Sequence, residues 1–264
     1  MKVFITGGSS GIGLELTKLY LKERHEVGVC GRGVCELDPS LLQNYPLLKV
    51  FECDVANRDE LCAIVSEFAR GRLDLMIANA GFSVGDNQVE PDFDLARKMV
   101  DTNAIGVINA FEAAYGIMRQ QGYGHLVATS SVGGMVGLPR VGAYSGSKAF
   151  VLKLCESLTM DLKQFDIHVT AVAPGFVDTA LTKKNRCRMP FIMSASRAAL
   201  LIKRAVDRKA VLYVFPWQMK VAIYFLERMP RRMYRFLMRL FAGKRVRGVH
   251  DEVSDDSRRM NHVQ

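Results

Sequence analysis

Thr6-Gly7-Gly8-Ser9-Ser10-Gly11-Ile12-Gly13 follows a short apolar run, Val3-Phe4-Ile5, and leads into Leu14, Leu16, Leu19 and Tyr20, whose spacing is helical. A strand that turns through glycines directly into a helix presents the free N–H groups of the helix N-terminus, and those groups suit an anion. Gly7 permits the tight turn, Gly11 lets the backbone approach a pyrophosphate closely, and Gly13 lets helix and strand pack. Ser9, Ser10 and Ile12 complete the turn. The spacing is GxxxGxG, not GxGxxG, so a plain β–α corner stays open on this stretch alone.

Outward from the turn, short apolar runs alternate with helical patterns. Strands are expected near 2–6, 26–31, 47–53, 73–79, 124–130, 167–173 and 210–215. Runs that are apolar almost without a break are buried on both faces, as in a parallel sheet covered by helices. The pattern predicts a doubly wound, seven-stranded parallel sheet in three α/β/α layers. The chain has 264 residues, 49% of them hydrophobic, enough for one α/β domain with a sizeable core. No linker interrupts residues 1–216. Residues 217–248 read as a basic amphipathic helical extension broken by Pro230, and 249–264 as a polar, disordered tail.

The net charge of +9 is uneven: +3 over residues 1–216, +8 over 217–248 and −2 over 249–264. A near-neutral body argues against nucleic acid as a partner and leaves a local surface role for the basic segment. Six cysteines (Cys30, Cys35, Cys53, Cys62, Cys155, Cys187) include no CxxC, and the five histidines form no HxxxH. Reduced thiols, no metal site and a cytoplasmic protein are expected. The first strand-like run begins almost at residue 1, and no signal peptide is expected.

In dinucleotide folds an acid at the end of the second strand holds the ribose 2′-hydroxyl. Here that strand ends in Gly31-Arg32, and an arginine suits a 2′-phosphate, which points to NADP(H) over NAD(H). Asp38 is the competing acid, but it precedes Pro39 in a loop-like stretch. Further on, Tyr144 and Lys148 stand four apart at the start of a helical pattern, so they share a face. A phenol ionises near pH 10, and lowering that by about two pH units takes about 2.7 kcal/mol, which a nearby ammonium could supply. Such a tyrosine is a competent general acid or base. Ser130-Ser131, Asn79-Ala80-Gly81, Asp54-Val55 and Pro174-Gly175-Phe176-Val177-Asp178-Thr179 all end strands at the same carboxyl edge, where ligands of open sheets bind.

In this order the motifs resemble the short-chain dehydrogenase/reductase family over residues 1 to about 216: the TGxxxGIG turn, Asp54-Val55, the NAG at 79–81, Asn103, the serine strand, YxxxK and the Pro-Gly motif. The resemblance implies a Rossmann-like fold. It implies an NADP(H)-dependent oxidoreductase interconverting a ketone or aldehyde and an alcohol, on a hydrophobic, lipid- or steroid-like substrate. The family's serine lies thirteen residues before the tyrosine, which selects Ser131. Tyr144 would then exchange the proton, Ser131 would bind the carbonyl oxygen, and Lys148 would lower the tyrosine pKa and bind the nicotinamide ribose. Asn103 would hold a water in a proton relay with the lysine. The cofactor would lie along Gly7 to Gly13, Arg32, Asp54, Val55, Asn79, Ala80, Gly81, Pro174, Gly175, Val177 and Thr179. The residues near 94–121 and 146–165 would form a homodimer or homotetramer bundle.

Two other functions compete. A non-catalytic NADP-binding regulator predicts decay of Asn103, Ser131, Tyr144 and Lys148, yet all four are present. A nucleotide-sugar epimerase or dehydratase predicts a larger C-terminal domain and a GxxGxxG turn, and neither is found. The chain departs from many relatives by continuing about fifty residues past its last strand. Met233, Phe236, Leu237, Leu240 and Phe241 form an apolar face, with Arg231, Arg232, Arg235 and Arg239 mostly opposite. That face is expected either to pack on the substrate cleft or a partner subunit, or to lie on the inner face of a membrane, which would suit a lipid substrate. The basic loop 181–191, with Lys183, Lys184, Arg186 and Arg188, is expected to be a solvated flexible segment over the cleft.

Overall fold

Val3 and Ile5 leave the first strand on one side and Phe4 on the other, and all three are fully buried. An apolar run with no polar face makes sense only if both sides are covered. The same division recurs along the sheet: Leu75, Ile77 and Val127 face one layer, while Met76, Ala78, Leu126 and Ala128 face the other. The computed structural model describes residues 1–34, 37–84, 90–184 and 189–240. Cys35, Cys187, the loop tip 185–188, Phe241 and the rest of 241–264 lie outside the described residues.

The strands are β1 (Lys2–Thr6), β2 (Glu26–Gly31), β3 (Leu48–Glu52), β4 (Leu75–Ala78), β5 (Gly124–Thr129), β6 (Ile167–Pro174), β7 (Val177–Asp178), β8 (Met193–Ser194) and β9 (Leu212–Phe215). Seven of them form one parallel sheet in the order β3-β2-β1-β4-β5-β6-β9. The order reverses between β1 and β4, the switch point where such sheets open a crevice. β7 and β8 form a separate two-stranded parallel pair that pins both ends of the loop 179–192.

The helices are α1 (Gly11–Lys22), α2 (Pro39–Asn44), α3 (Arg58–Ala69), α4 (Phe93–Val100), α5 (Gly106–Gln121), α6 (Gly142–Asp161), α7 (Ala195–Asp207) and α8 (Trp217–Arg228), followed by a helical segment at 231–240. Leu16, Tyr20, Ala198 and Ile202 bring α1 and α7 onto one face of the sheet. Leu61, Val65, Phe111, Val151 and Cys155 bring α3, α5 and α6 onto the other. This is the three-layer, doubly wound arrangement expected from the sequence.

Asp38 caps α2, accepting from the Ser40 N–H at 2.9 Å. It is therefore spent on a helix end, as its position before Pro39 suggests. The strongest local constraint is at Gly13. A β-carbon there would lie 2.0 Å from the Gly7 carbonyl oxygen and 2.6 Å from Asn79 Nδ2. Gly116 in α5 meets nothing within 4 Å. Gly13→Ala is therefore expected to cost about 3 kcal/mol or more in urea unfolding. Gly116→Ala should stabilise the chain by roughly 0.5–1 kcal/mol through helix propensity.

Candidate active site

The turn after β1 has the left-handed backbone that glycine permits, with φ of +66° at Gly7 and +52° at Gly11. Ser10 is the N-cap of α1, yet its side chain makes no capping bond, and the first turn of α1 carries no acid. The helix therefore offers uncapped N–H groups and a favourable dipole end into the crevice, which fits a pyrophosphate. Ile12 packs partly into the core beneath, and Ser9 lies beside Gly31.

Asn79 holds the crevice together. Its Nδ2 donates to the Thr6 and Gly7 carbonyls at 3.3 Å each, and its Oδ1 accepts from Thr129 Oγ1 at 3.3 Å. The backbone N–H groups of Asn79 and Ala80 both donate to Thr6 Oγ1 at 3.0 Å. Thr6, the first residue of the glycine turn, and Thr129 thus carry the site, though the sequence analysis assigned a role to neither. A threonine ending a buried strand is the signal that could have found them.

Further along the edge, Arg32 and Asp54 form an exposed ion pair at 3.6 Å, with the Arg32 guanidinium 5.9 Å from the centre of the Phe82 ring. Val55 and Val177 are buried in the core. Pro174 ends β6, and Gly175 donates its N–H to Phe215 O at 2.7 Å. A β-carbon at Gly175 would sit 3.0 Å from Met219 of α8, so the extension packs directly behind this motif. Thr179 covers Gly11, and its N–H donates to Thr182 Oγ1 at 3.0 Å. The glycine turn, Asn79–Phe82 and the 174–182 segment, with Ser131, Tyr144 and Lys148, line a cleft of about 220 Å³, and Arg32, Asp54 and Val55 lie outside its lining.

Tyr144 lies in the first turn of α6 and Lys148 one turn further, on the same face. The Ser131 side chain lies beside the Tyr144 phenol, where it favours the ionised form. Ser131 Oγ also accepts from the Gly133 N–H at 3.1 Å, which fixes its rotamer. Ser130 points elsewhere: its hydroxyl donates to the Lys148 carbonyl at 2.8 Å and ties α6 to β5. The chain's geometry therefore separates the two serines that adjacency alone leaves equivalent.

Lys148 is buried, and its ammonium donates to the Thr129 carbonyl at 2.8 Å. Burial lowers its pKa to about 8. Burial also raises the Tyr144 pKa, against a smaller opposing effect of the Ser131 side chain. The direction of the Tyr144 shift is thus set by burial, not by the lowering expected from the lysine. Asn103 lies in a single π-turn, Asp101–Ile105, between α4 and α5. Its Nδ2 donates to Phe82 O at 2.9 Å and to Ser147 Oγ at 3.2 Å, and its Oδ1 accepts from the Phe82 N–H at 2.9 Å. Its side-chain amide is thus occupied, and a β-carbon on Gly81 would fall between Asn103 Oδ1 and Lys148 Nζ, at 2.9 and 3.3 Å. Ser147, which the sequence reading passed over, relays this contact to the Tyr144 carbonyl at 2.9 Å.

A second cavity, about 460 Å³, adjoins Tyr144. Phe93, Leu95, Ala96 and Met99 of α4 wall it together with Val141, and Arg140 enters it from a left-handed backbone, φ +66°. No local pattern marks α4 for this role, since only packing brings it opposite α6.

A family model described as short chain dehydrogenase matches residues 1–189. An uncharacterized oxidoreductase of Myxococcus xanthus is 32% identical over 87% of this chain and 93% of its own length. Estradiol 17-beta-dehydrogenase 1 of Rattus norvegicus is 32% identical over 69% of this chain and 56% of its own length. A short chain dehydrogenase from Burkholderia cenocepacia, solved with NADP, superposes with a TM-score of 0.78 at 21% identity, covering 89% of this chain and 96% of that one. A relative from Burkholderia phymatum, solved with NAD, gives 0.77 at 20% identity over 85% and 92%.

The buried lysine has a thermodynamic signature. With its folded pKa lowered from 10.5 to about 8, the unfolded chain holds a proton that the folded chain lacks between those values. Stability therefore rises with pH across that window, while below about pH 8 the cost of burying the ammonium is fully present. Lys148→Met removes the group. The wild type should gain roughly 3 kcal/mol relative to this variant between neutral pH and about pH 10.5, read from urea midpoints. A constant difference would mean that no charge is buried there.

Proposed function

The chain belongs to the short-chain dehydrogenase family and is an oxidoreductase, and on that premise we propose that it interconverts a ketone or aldehyde and an alcohol with NADP(H). The observation that carries the reading is the convergence of Ser131, Tyr144 and Lys148 on the cleft beneath the glycine turn. The bound dinucleotide supplies or accepts the hydride. In the reducing direction the Tyr144 hydroxyl gives its proton to the carbonyl oxygen, and Ser131 donates a hydrogen bond to that oxygen as it gains charge. Lys148 has three N–H donors, one of them on Thr129, and the others are available to a ribose hydroxyl. Asn103 acts as a positioning residue through Phe82 and Ser147. A proton relay at Asn103 must use its backbone or a water, because its side-chain amide is occupied.

Arg32 supports NADP(H) over NAD(H). An exposed ion pair is weak, so a 2′-phosphate with its higher charge displaces Asp54 readily. The apolar cavity beside Tyr144 supports a bulky hydrophobic substrate, lipid- or steroid-like. The same reading includes a homodimer or homotetramer formed through α5 and α6, which expose Ile108, Phe150 and Met160.

Tyr144→Phe should lower kcat by roughly a thousand-fold on a panel of hydrophobic ketones while leaving NADPH affinity nearly intact. Retained turnover would overturn the assignment of the proton donor. Arg32→Ala should weaken NADPH binding by about ten- to a hundred-fold and leave NADH binding unchanged, measured by fluorescence titration.

A further inference from the structure

The extension is anchored by one side of each helix. Ile223 of α8 and Tyr234 of the 231–240 segment are buried with Val132 and Val136, and Met219, Leu226 and Met238 pack around them. Tyr234 also donates its hydroxyl to the Gly137 carbonyl. By helical spacing, Trp217, Val221, Tyr224 and Phe225 then point away from this cluster, as do Met233, Phe236 and Leu240. Trp217, Phe225 and Phe236 are 69%, 64% and 66% exposed. Met233, Phe236 and Leu240 of the apolar face read from the sequence thus point outward, and Tyr234 with Met238 does the packing. Monomeric proteins seldom leave apolar surface of this kind open.

We propose that these two outward faces dock on an anionic lipid surface beside the mouth of the cleft. Charge decides the occupant. Residues 217–240 carry Lys220, Arg228, Arg231, Arg232, Arg235 and Arg239 against Glu227 alone, a net +5. The arginines of the second helix form a stripe next to Met233, Phe236 and Leu240, placed to reach headgroups while the apolar side chains enter the interface. Arg228 stacks over Tyr224, 3.6 Å from the ring centre, and joins the first face to the same charge. A second copy docking on this face would bring two such cationic stripes together, which is unfavourable. Residues 249–264 are polar, with Val249, Val253, Met260 and Val263 their only large aliphatic side chains, too few to cover the faces. Among the described residues no helix is long and apolar enough to cross a membrane, so the contact is interfacial. The helices pack on 132–138, which follows Ser131, and on Gly175. Docking would therefore hold the cleft near the bilayer and supply it with lipid-soluble carbonyl compounds; that last clause rests on the catalytic reading, the docking itself does not.

The test is flotation of the full chain at physiological salt with phosphatidylcholine vesicles, with and without about one-third phosphatidylserine. The chain should float with the anionic vesicles and remain below with the neutral ones. Phe225→Ser combined with Phe236→Ser should weaken binding by about ten-fold or more; both side chains are mostly exposed, so the fold is undisturbed. Arg231→Gln with Arg235→Gln should weaken it about thirty-fold. NADPH consumption with a water-soluble ketone should be the same in all of them. No flotation with anionic vesicles, or flotation that both double variants leave unchanged, overturns the proposal. So does a dimer dissolved by the aromatic substitutions without any vesicle binding, which would assign the face to a second copy. Flotation without NADPH consumption supports docking and counts against the catalytic reading alone.

Discussion

One carboxamide joins three strand ends where the sheet reverses its order. Asn79 donates to the carbonyls that end β1 and accepts from the last residue of β5, while Thr6 receives the two N–H groups that follow β4. Gly13 can pack against this knot only because it has no β-carbon. The first helix consequently starts close to the crevice with its N–H groups free. Thr129, held by the same amide, presents its carbonyl to Lys148. The phosphate side of the cleft and the proton-transfer side are thus connected through Thr6, Asn79 and Thr129.

Burial sets the electrostatics of the proton-transfer side. Burial acts in opposite directions on the two ionisable groups, up for the phenol and down for the ammonium. Each is driven toward its neutral form. Ser131 is the group that favours an ionised Tyr144. The distance in sequence between Ser131 and Tyr144 is bridged by the 132–138 loop, and that loop is also the platform for the C-terminal helices. The extension is therefore structurally continuous with the catalytic region, reaching Ser131 on one side and Gly175 on the other.

Much was legible from local pattern. Unbroken apolar runs such as Val3-Phe4-Ile5 gave the strands to within a few residues, because burial on both faces removes any need for polar residues. The roles of Gly7 and Gly13 followed from the chemistry of a turn. The amphipathic stretch after Pro230 was recognised as a helix, but its orientation was not: Met233, Phe236 and Leu240 look like a packing face in one dimension, whereas the body offers a pocket that Tyr234 fills. Likewise Val55 and Val177 match a motif, yet their side chains are core.

The amino-acid sequence by itself determined the strand order of appearance, the glycine turn, the missing acid at Arg32 and the Tyr144–Lys148 spacing, since each depends on neighbours along the chain. Tertiary structure decided where the lysine spends its charge, and that Asn103 holds Phe82 and Ser147 from a π-turn. It also decided that α4 walls a cavity and that aromatic residues of the extension face outward. These depend on groups tens of residues apart that only the packing of α4, α6 and α8 around the sheet edge brings within reach.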